Sequence, residues 1–432
     1  MTAAPSDKVR RPGYAPEANA GVGRRGLHTR DRILGCAAEA FLANGFHGTS
    51  IDTIAKAANA SRATVYQYFA GRDDIFRELA AASKRDVLAH GERLGALGPT
   101  VDGVDALHRW LTDWTDVYDA HAAVFAEYPG IGTEFSVVEV GTVAEDFRHA
   151  VTAKLRRARL GDLDVDDAAA ALMRIPHMVN LYRYRAMFPL PDRALASWSL
   201  TVALQLMLFP DTPADVLAAV APRDVAESAN PPPVGAASVA STPAVAEIPP
   251  APIALDILAV SSALFAERGY HAVGMEEIAA AADLSRATLY RYFGTKDRIL
   301  AELTRRAVTK IEQLAAALPR MALGSLTEWM LGYVQFHRAY CGVIRAWFDG
   351  TVAEQLSDAP VDDGIGAIHH AVGALLDTVA LPAGVDRETA GAVFLAILGR
   401  MTEPTAAAGP DSDERAAELM VKLLHRSLLR TA

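Results

Sequence analysis

The sequence predicts an all-α protein made of two tandem copies of one unit, and three observations carry that expectation. Residues 33–76 and 257–300 align without a gap at a constant offset of 224. Within each copy, capping and turn residues recur at spacings that punctuate short helices. The rest of each half, residues 100–221 and 319–432, reads as amphipathic helices with apolar side chains on one face.

The first copy reads AFLANGFHGTSIDTIAKAANASRATVYQYFAGRDDIF and the second LFAERGYHAVGMEEIAAAADLSRATLYRYFGTKDRIL. Phe41 matches Phe265, Gly45 matches Gly269, and Ser61-Arg62-Ala63-Thr64 matches Ser285-Arg286-Ala287-Thr288. A weaker match continues at offset 219, where Trp110, Trp114, Val124 and Tyr128 face Trp329, Tyr333, Val343 and Trp347. The segment between the copies, Pro222 to Pro252, is rich in Pro, Ala and Ser and lacks apolar periodicity, the composition of a semi-extended linker.

The helices follow in order from their punctuation. Helix one of each copy ends at Gly45 or Gly269, since a C-cap residue favours positive φ. Thr49, three residues before Asp52, makes a capping-box-like start to helix two; its counterpart starts near Gly274 with Glu276 and Glu277 in the first turn. Asn59 and Asp283 sit in the following turn as residue types that tolerate positive φ. Ser61 and Ser285 are N-caps of helix three, and Gly71 and Thr295 open helix four.

Two helices joined by so short a turn, the second rich in Ser, Arg, Thr and Tyr, form a helix-turn-helix unit. Ile51, Ile54, Ala55, Ala58 and Val65 fall at helical spacing for burial, which leaves Arg62, Thr64 and Gln67 outside. A recognition helix needs that division between a rigid apolar back and polar side chains toward base edges.

The pattern T-S-I-x-x-I-A-x-x-A-x-x-S-x-x-T-V-Y-x-Y-F-x-x-R-D-x-I-F resembles the N-terminal DNA-binding domain of the TetR family of bacterial transcriptional regulators, and it does so twice. The resemblance implies three small N-terminal helices per unit and a larger helical domain that binds a small ligand and makes the dimer contact. Carried over residue by residue, it implies that Thr49, Arg62, Thr64, Tyr66, Tyr68 and Arg72 approach DNA, and Arg286, Thr288, Tyr290, Tyr292 and Lys296 in the second copy. The N-caps Ser61 and Ser285 belong to the same surface. Hydroxyls and a cation beside a helix N-terminus suit phosphate contacts; for Tyr66 and Tyr290 burial in the core is the alternative, and Phe69 and Phe293 read as core.

Gln67 faces Arg291 across the copies. Gln pairs with adenine and Arg with guanine, each worth roughly 1–3 kcal/mol of discrimination, although either side chain also suits phosphate. Val273 stands where the first copy has Thr49, so the second copy is expected to lack one phosphate contact. Lys8, Arg10, Arg11, Arg24, Arg25, Arg30 and Arg32 precede or open the first unit as a basic arm, or else as a solvated tail.

The expected division is a flexible basic arm over 1–29, helix-turn-helix domains over 30–95 and 253–318, helical regulatory domains over 96–221 and 319–432, and a linker over 222–252. Trp110, Trp114, Tyr118, Phe125 and Tyr128, with Trp329, Tyr333, Phe336, Tyr340 and Trp347, form aromatic stripes. They are read either as core or as the lining of a pocket for a small apolar or aromatic effector, with His121, His337 and Arg345 as polar contacts. By the resemblance, the helices near 166–188, 192–209, 387–401 and 413–429 make the dimer interface as a four-helix bundle. A fold-back of copy two onto copy one gives an intramolecular pseudo-dimer, favoured by effective concentration; a homodimer with four helix-turn-helix units is the alternative.

The expected partner is a double-stranded DNA operator, and the expected function is a ligand-responsive repressor, with an effector-independent DNA-binding protein as the rival. The net charge of −10 argues against a general DNA-packing protein. Cys36 and Cys341 lie in non-equivalent segments, which indicates neither a disulfide framework nor a metal site. The N-terminal residues lack the apolar core of a signal peptide, and the stretch from Ala194 to Pro210 is too short and polar for a membrane span, so a cytoplasmic location is expected. Gly21-Val22-Gly23-Arg24-Arg25-Gly26 follows no strand, His369-His370 is isolated, and no catalytic residue, metal ligand or cofactor motif is expected.

Overall fold

The computed structural model describes residues 23–126, 137–222, 251–320, 323–347, 352, 356, 361–405 and 412–430, and no strand occurs among them. The first half holds α1 (Gly23–Gly48), α2 (Ile51–Ala57), α3 (Arg62–Tyr68), α4 (Arg72–Glu92), α5 (Val101–Phe125), α6 (Val137–Leu155), α7 (Val165–Tyr184), α8 (Arg193–Leu208) and α9 (Ala214–Val220). The second holds α10 (Pro252–Arg268), α11 (Met275–Ala281), α12 (Arg286–Tyr292), α13 (Lys296–Ala317), α14 (Leu326–Trp347), α15 (Val361–Leu376), α16 (Arg387–Arg400) and α17 (Asp413–Ser427). The expected basic arm is shorter than its reading, because α1 already starts at Gly23. Lys8, Arg10, Arg11, Tyr128 and most of the linker lie outside the described residues.

The local chemistry explains the helix boundaries. Gly45, where α1 is interrupted by a kink, and Gly269, the C-cap of α10, take φ of 73° and 80°, conformations that suit a residue without Cβ, and Asn59 and Asp283 take 45° and 53° in the turns. Ser61 and Ser285 accept hydrogen bonds from the Thr64 and Thr288 amides at 3.0 and 3.1 Å, capping α3 and α12. The start of α2 differs from the expectation. Its N-cap is Ser50, which accepts from the Thr53 amide at 3.1 Å, while the Thr49 hydroxyl turns inward. At α11 the cap Gly274 has no side chain, and the Glu277 carboxylate accepts from its amide at 2.8 Å.

Each head of three helices, closed by the start of the fourth, has its own core, built on Ile33, Phe41, Ile54, Val65 and Ile75 in one copy and on Ile257, Phe265, Ile278, Leu289 and Ile299 in the other. The repeat extends into the packing of the next two helices. Trp110 on α5 donates to the His90 carbonyl of α4 at 3.0 Å, and Trp329 on α14 donates to the Leu314 carbonyl of α13 at 2.9 Å. These partners are equivalent at the two sequence offsets, so the weaker one is a real structural register.

A single large apolar cluster joins the halves, from Leu172, Val202 and Leu204 to Phe394, Ile397 and Leu424. It forms where α7 packs on α16, and α8 on α16 and α17. Polar groups fix the contact. Arg174 caps the end of α16 by donating to the carbonyls of Arg400, Glu403 and Pro404 at 3.1, 3.0 and 2.7 Å. Arg426 donates to the carbonyls of Leu160 and Leu208 at 3.0 and 2.8 Å and to Asp162 at 2.6 Å. Ser199 accepts from the Asp386 amide at 2.8 Å and donates to the Gly384 carbonyl at 3.2 Å. Gly384 has φ of 86°, and a Cβ there would stand 2.9 Å from the Trp198 indole nitrogen, so the close approach requires glycine.

Candidate nucleic-acid interface

The exposed side of α3 is built by exclusion. Val65 is fully buried and Phe69 is 2% exposed, which turns Ser61, Arg62, Tyr66 and Gln67 to solvent. On α12, Leu289 is buried, and Ser285, Arg286, Tyr290 and Arg291 face outward, with Phe293 only half-buried against the core. Tyr66 and Tyr290 are each 50% exposed, unusual for large aromatic rings, so neither is a core residue. Thr64, Tyr68, Thr288 and Tyr292 are half-buried at the edges of the same surfaces. The Thr64 and Thr288 hydroxyls each lie 2.9 Å from the capping serine.

Each recognition helix is tied to the helix before it by an equivalent ion pair. Arg62 meets Asp52 at 3.1 Å, and Arg286 meets Glu276. All four side chains are more than half exposed, so these pairs add little stability and leave the guanidinium groups available to a phosphate.

Three other residues expected to approach DNA occupy a different place. Thr49 is 1% exposed, and its hydroxyl donates to the Ala40 and Gly45 carbonyls at 3.0 and 2.8 Å. Val273, its counterpart, is equally buried, so the difference between the copies at this position is internal and not a lost phosphate contact. Arg72 donates to the carbonyls of Phe46, His47 and Thr49 at 2.9, 3.1 and 3.1 Å and lies 4.1 Å over the Phe46 ring. Lys296 repeats this, donating to the Tyr270 and Val273 carbonyls at 2.7 and 2.9 Å with its ammonium 4.2 Å over the Tyr270 ring. Both cations neutralise the carbonyls between the first helix of the head and the second.

Lys296→Ala is therefore expected to lower the stability of the second head by about 2 kcal/mol, the sum of charged hydrogen bonds and a cation–π contact. Thermal unfolding checks it; unchanged stability with weakened DNA binding would return Lys296 to the DNA surface.

The two heads touch. His47 and His271, equivalent residues of the two copies, stack with ring centroids 4.0 Å apart and planes at 24°. Contact between equivalent residues is the kind of contact that a twofold relation between two copies produces.

The aromatic stripes fall mainly in the core. Trp110, Trp114, Tyr118, Phe125, Trp329, Tyr333 and Phe336 are all under 7% exposed. Tyr340 and Trp347 are half-buried. Phe336 and Tyr340 also line a cleft of about 520 Å3 between α13 and α14, beside Arg305, Arg306 and Lys310. The expected polar contacts are engaged otherwise: His121 with Asp86 at 2.7 Å, His337 with Thr402 at 2.9 Å, and Arg345 with the Ala266 carbonyl at 3.2 Å.

Two heads of three helices, each ending in an exposed, serine-capped third helix, define a protein with a pair of helix-turn-helix domains. Residues 33–79 and 257–303 both match the model of bacterial regulatory proteins of the tetR family. Each half of the chain thus carries one unit of that family's type, and the two stand in tandem. The chain is 34% identical over 96 residues to the HTH-type transcriptional regulator HbdR of Aromatoleum sp. (strain CIB), which covers 22% of this chain and 40% of HbdR. With the HTH-type regulator YhgD of Bacillus subtilis (strain 168) it shares 25% identity over 104 residues, 23% of this chain and 53% of the relative. The chain thus spans about half the length of the curated relatives it matches or less. A TetR family transcriptional regulator, PfmR from Thermus thermophilus, is 24% identical and covers 40% of this chain and 99% of that one, with a TM-score of 0.32.

Proposed function

We propose that the chain is a sequence-specific transcriptional regulator that reads an asymmetric operator with α3 and α12 of the same molecule. The stack of His47 on His271 carries the reading, because a contact between equivalent residues is what a dimer-like pairing of the heads would give. The contact of α7 and α8 with α16 and α17 supports it. Adjacent major grooves on one face of DNA lie about one helical turn apart, so the two half-sites are spaced by roughly 10 base pairs. Tyrosine, serine and arginine groups position each head on phosphates, while Gln67 and Arg291 read base edges.

Effector control acts through α4, which runs from Arg72 at the joint of the first head to His90 in the regulatory core. A ligand that binds one arrangement of that core more tightly shifts the head by the difference in its affinities. In the repressor reading, the favoured arrangement spaces the heads wrongly for the operator.

Selection of bound duplexes from a random library at near-physiological salt tests the proposal. An asymmetric pair of half-sites is expected; a perfect palindrome means that two chains present the same copy, and no enrichment removes sequence-specific regulation. Arg291→Ala is expected to relax preference in one half-site only, losing about 1–3 kcal/mol of discrimination there. Equal relaxation in both halves overturns the assignment of α12 to one half.

A further inference from the structure

The regulatory cores of the two halves differ in one physical respect. On α4, α5 and the residues after α7, five buried polar atoms lack a hydrogen-bond partner: both ring nitrogens of His90, the Trp114 indole nitrogen, the Tyr118 hydroxyl and the Arg185 Nε. These are half of the ten such atoms among the described residues, and they lie along one aromatic path. His90 stacks on Trp110 at 4.4 Å and lies 5.3 Å from Trp114. Trp114 lies 5.4 Å from Phe125 and 6.3 Å from Tyr118, and Tyr118 lies 4.8 Å from Phe125. Arg185 joins the end of this path by donating to the Ala126 carbonyl, one residue beyond Phe125, at 3.2 Å.

Unpartnered polar atoms are few in a natural core, because each forgoes the hydrogen bonds it had in water. Five on one path call for a partner that the chain itself does not supply. The second half offers a comparison at equivalent positions. Leu314 replaces His90 and has no polar side-chain atom, and His337 replaces Tyr118 but bonds Thr402 at 2.9 Å. At these two positions the second core has closed its polar account internally.

We infer that the chain binds one effector, in the first half only, and that it is a flat apolar carboxylate whose oxygens take the Tyr118 hydroxyl, the Trp114 indole N–H and the Arg185 guanidinium. The chemistry follows from the donors. The indole N–H, phenol O–H and guanidinium offer protons to an acceptor, and the guanidinium adds a charge that favours an anion. The rings that separate them suit a planar apolar body, which must part them to enter. His90 can turn either a ring N–H or a lone pair toward a second polar group on the ligand. This inference deepens the effector part of the proposed function and rests on it.

The test uses 2-naphthoate as probe, with 2-isopropenylnaphthalene as a hydrocarbon of similar shape, titrated calorimetrically into the full chain. One naphthoate per chain is expected, bound at least tenfold more tightly than the hydrocarbon. Tyr118→Phe is expected to weaken naphthoate about tenfold while raising the melting temperature of the free protein by about 2 °C, since it removes an unsatisfied hydroxyl. A hydroxyl that served only packing or a hidden internal bond would lower the melting temperature instead.

Two naphthoates per chain, equal binding of acid and hydrocarbon, no binding at millimolar probe, or full affinity with a lowered melting temperature in Tyr118→Phe would each overturn the inference. Trp114→Phe gives a second reading of the same donor set, with the same loss expected. DNA selection without probe separates the two levels. Enrichment of an operator alongside failed naphthoate binding removes only this effector assignment, whereas no enrichment removes the regulator reading itself.

Discussion

Replacing Arg426 with alanine is expected to cost about 3 kcal/mol of stability and to loosen the two halves from each other. Arg426 sits on the last turn of α17 and is only 9% exposed, yet its guanidinium serves the first half of the chain. It reaches the Leu208 carbonyl at the end of α8, the Leu160 carbonyl before α7, and the Asp162 carboxylate. Asp162 is largely exposed and keeps Lys422 at 3.1 Å, so its loss counts for little. The two carbonyls are different. An orphaned buried acceptor costs about 1–3 kcal/mol, and the deleted stem also leaves space in the contact.

Arg426→Met restores the stem without the fork and is expected to recover only part of the loss; lysine gathers its donors on one nitrogen and does not reproduce the spread of the two guanidinium nitrogens that reach these acceptors. Urea unfolding followed by circular dichroism gives the order wild type, Met, Ala. On the proposed pseudo-dimeric reading, operator affinity falls in the same order, because this contact would then help to set the spacing of the heads. A change below about 0.5 kcal/mol in the alanine variant, within the range of ordinary surface substitutions, would mean that the halves are held by apolar packing alone.

The elements most legible in the sequence are those whose chemistry is local. A glycine at positive φ, an asparagine or aspartate in a tight turn, and a serine capping the third helix each involve neighbours within a few residues, and all recur at the same offset. Exposure of Tyr66, Gln67, Tyr290 and Arg291 was legible for a related reason. Once Val65 and Leu289 point inward, helical geometry sends these side chains out.

The misreadings share a different cause. Thr49 carried a plausible capping signal, but Ser50 performs the cap one residue later, and the threonine hydroxyl serves α1. Arg72 and Lys296 match family positions that approach DNA, and a cation at a helix start suits a phosphate. Their charged ends lie instead over carbonyls more than twenty residues earlier in the chain, a juxtaposition set by how the helices cross. The unpartnered atoms of the first regulatory core were illegible for the same reason. Whether a buried Trp or Tyr finds a partner is decided by tertiary neighbours, and apolar periodicity is the same in either case.

The same buried polar groups make the protein sensitive to mild acid. Burial holds the His90 imidazole down to about 3, with the nearby Arg93 charge adding to the effect, and burial holds His337 down to about 4. In the unfolded chain both titrate near the ordinary value of 6.5. Between these limits the unfolded state binds protons that the native state refuses, so stability is greatest above pH 6.5 and falls as pH drops toward 4. At pH 5 each histidine contributes a loss of about 2 kcal/mol, or about 4 kcal/mol for the pair, against a typical net stability of roughly 5–15 kcal/mol. Burial depresses His177 and His369 in the same direction, which steepens the fall. Urea midpoints measured from pH 7.5 to 4.5 should therefore decrease continuously below pH 6.5. His90→Leu, which installs the residue found at the equivalent position of the second half, should flatten that decrease by about one histidine's share. Midpoints independent of pH down to 5 would mean that these imidazoles take up protons in the folded protein, and the closed aromatic core around His90 would then have to open to water.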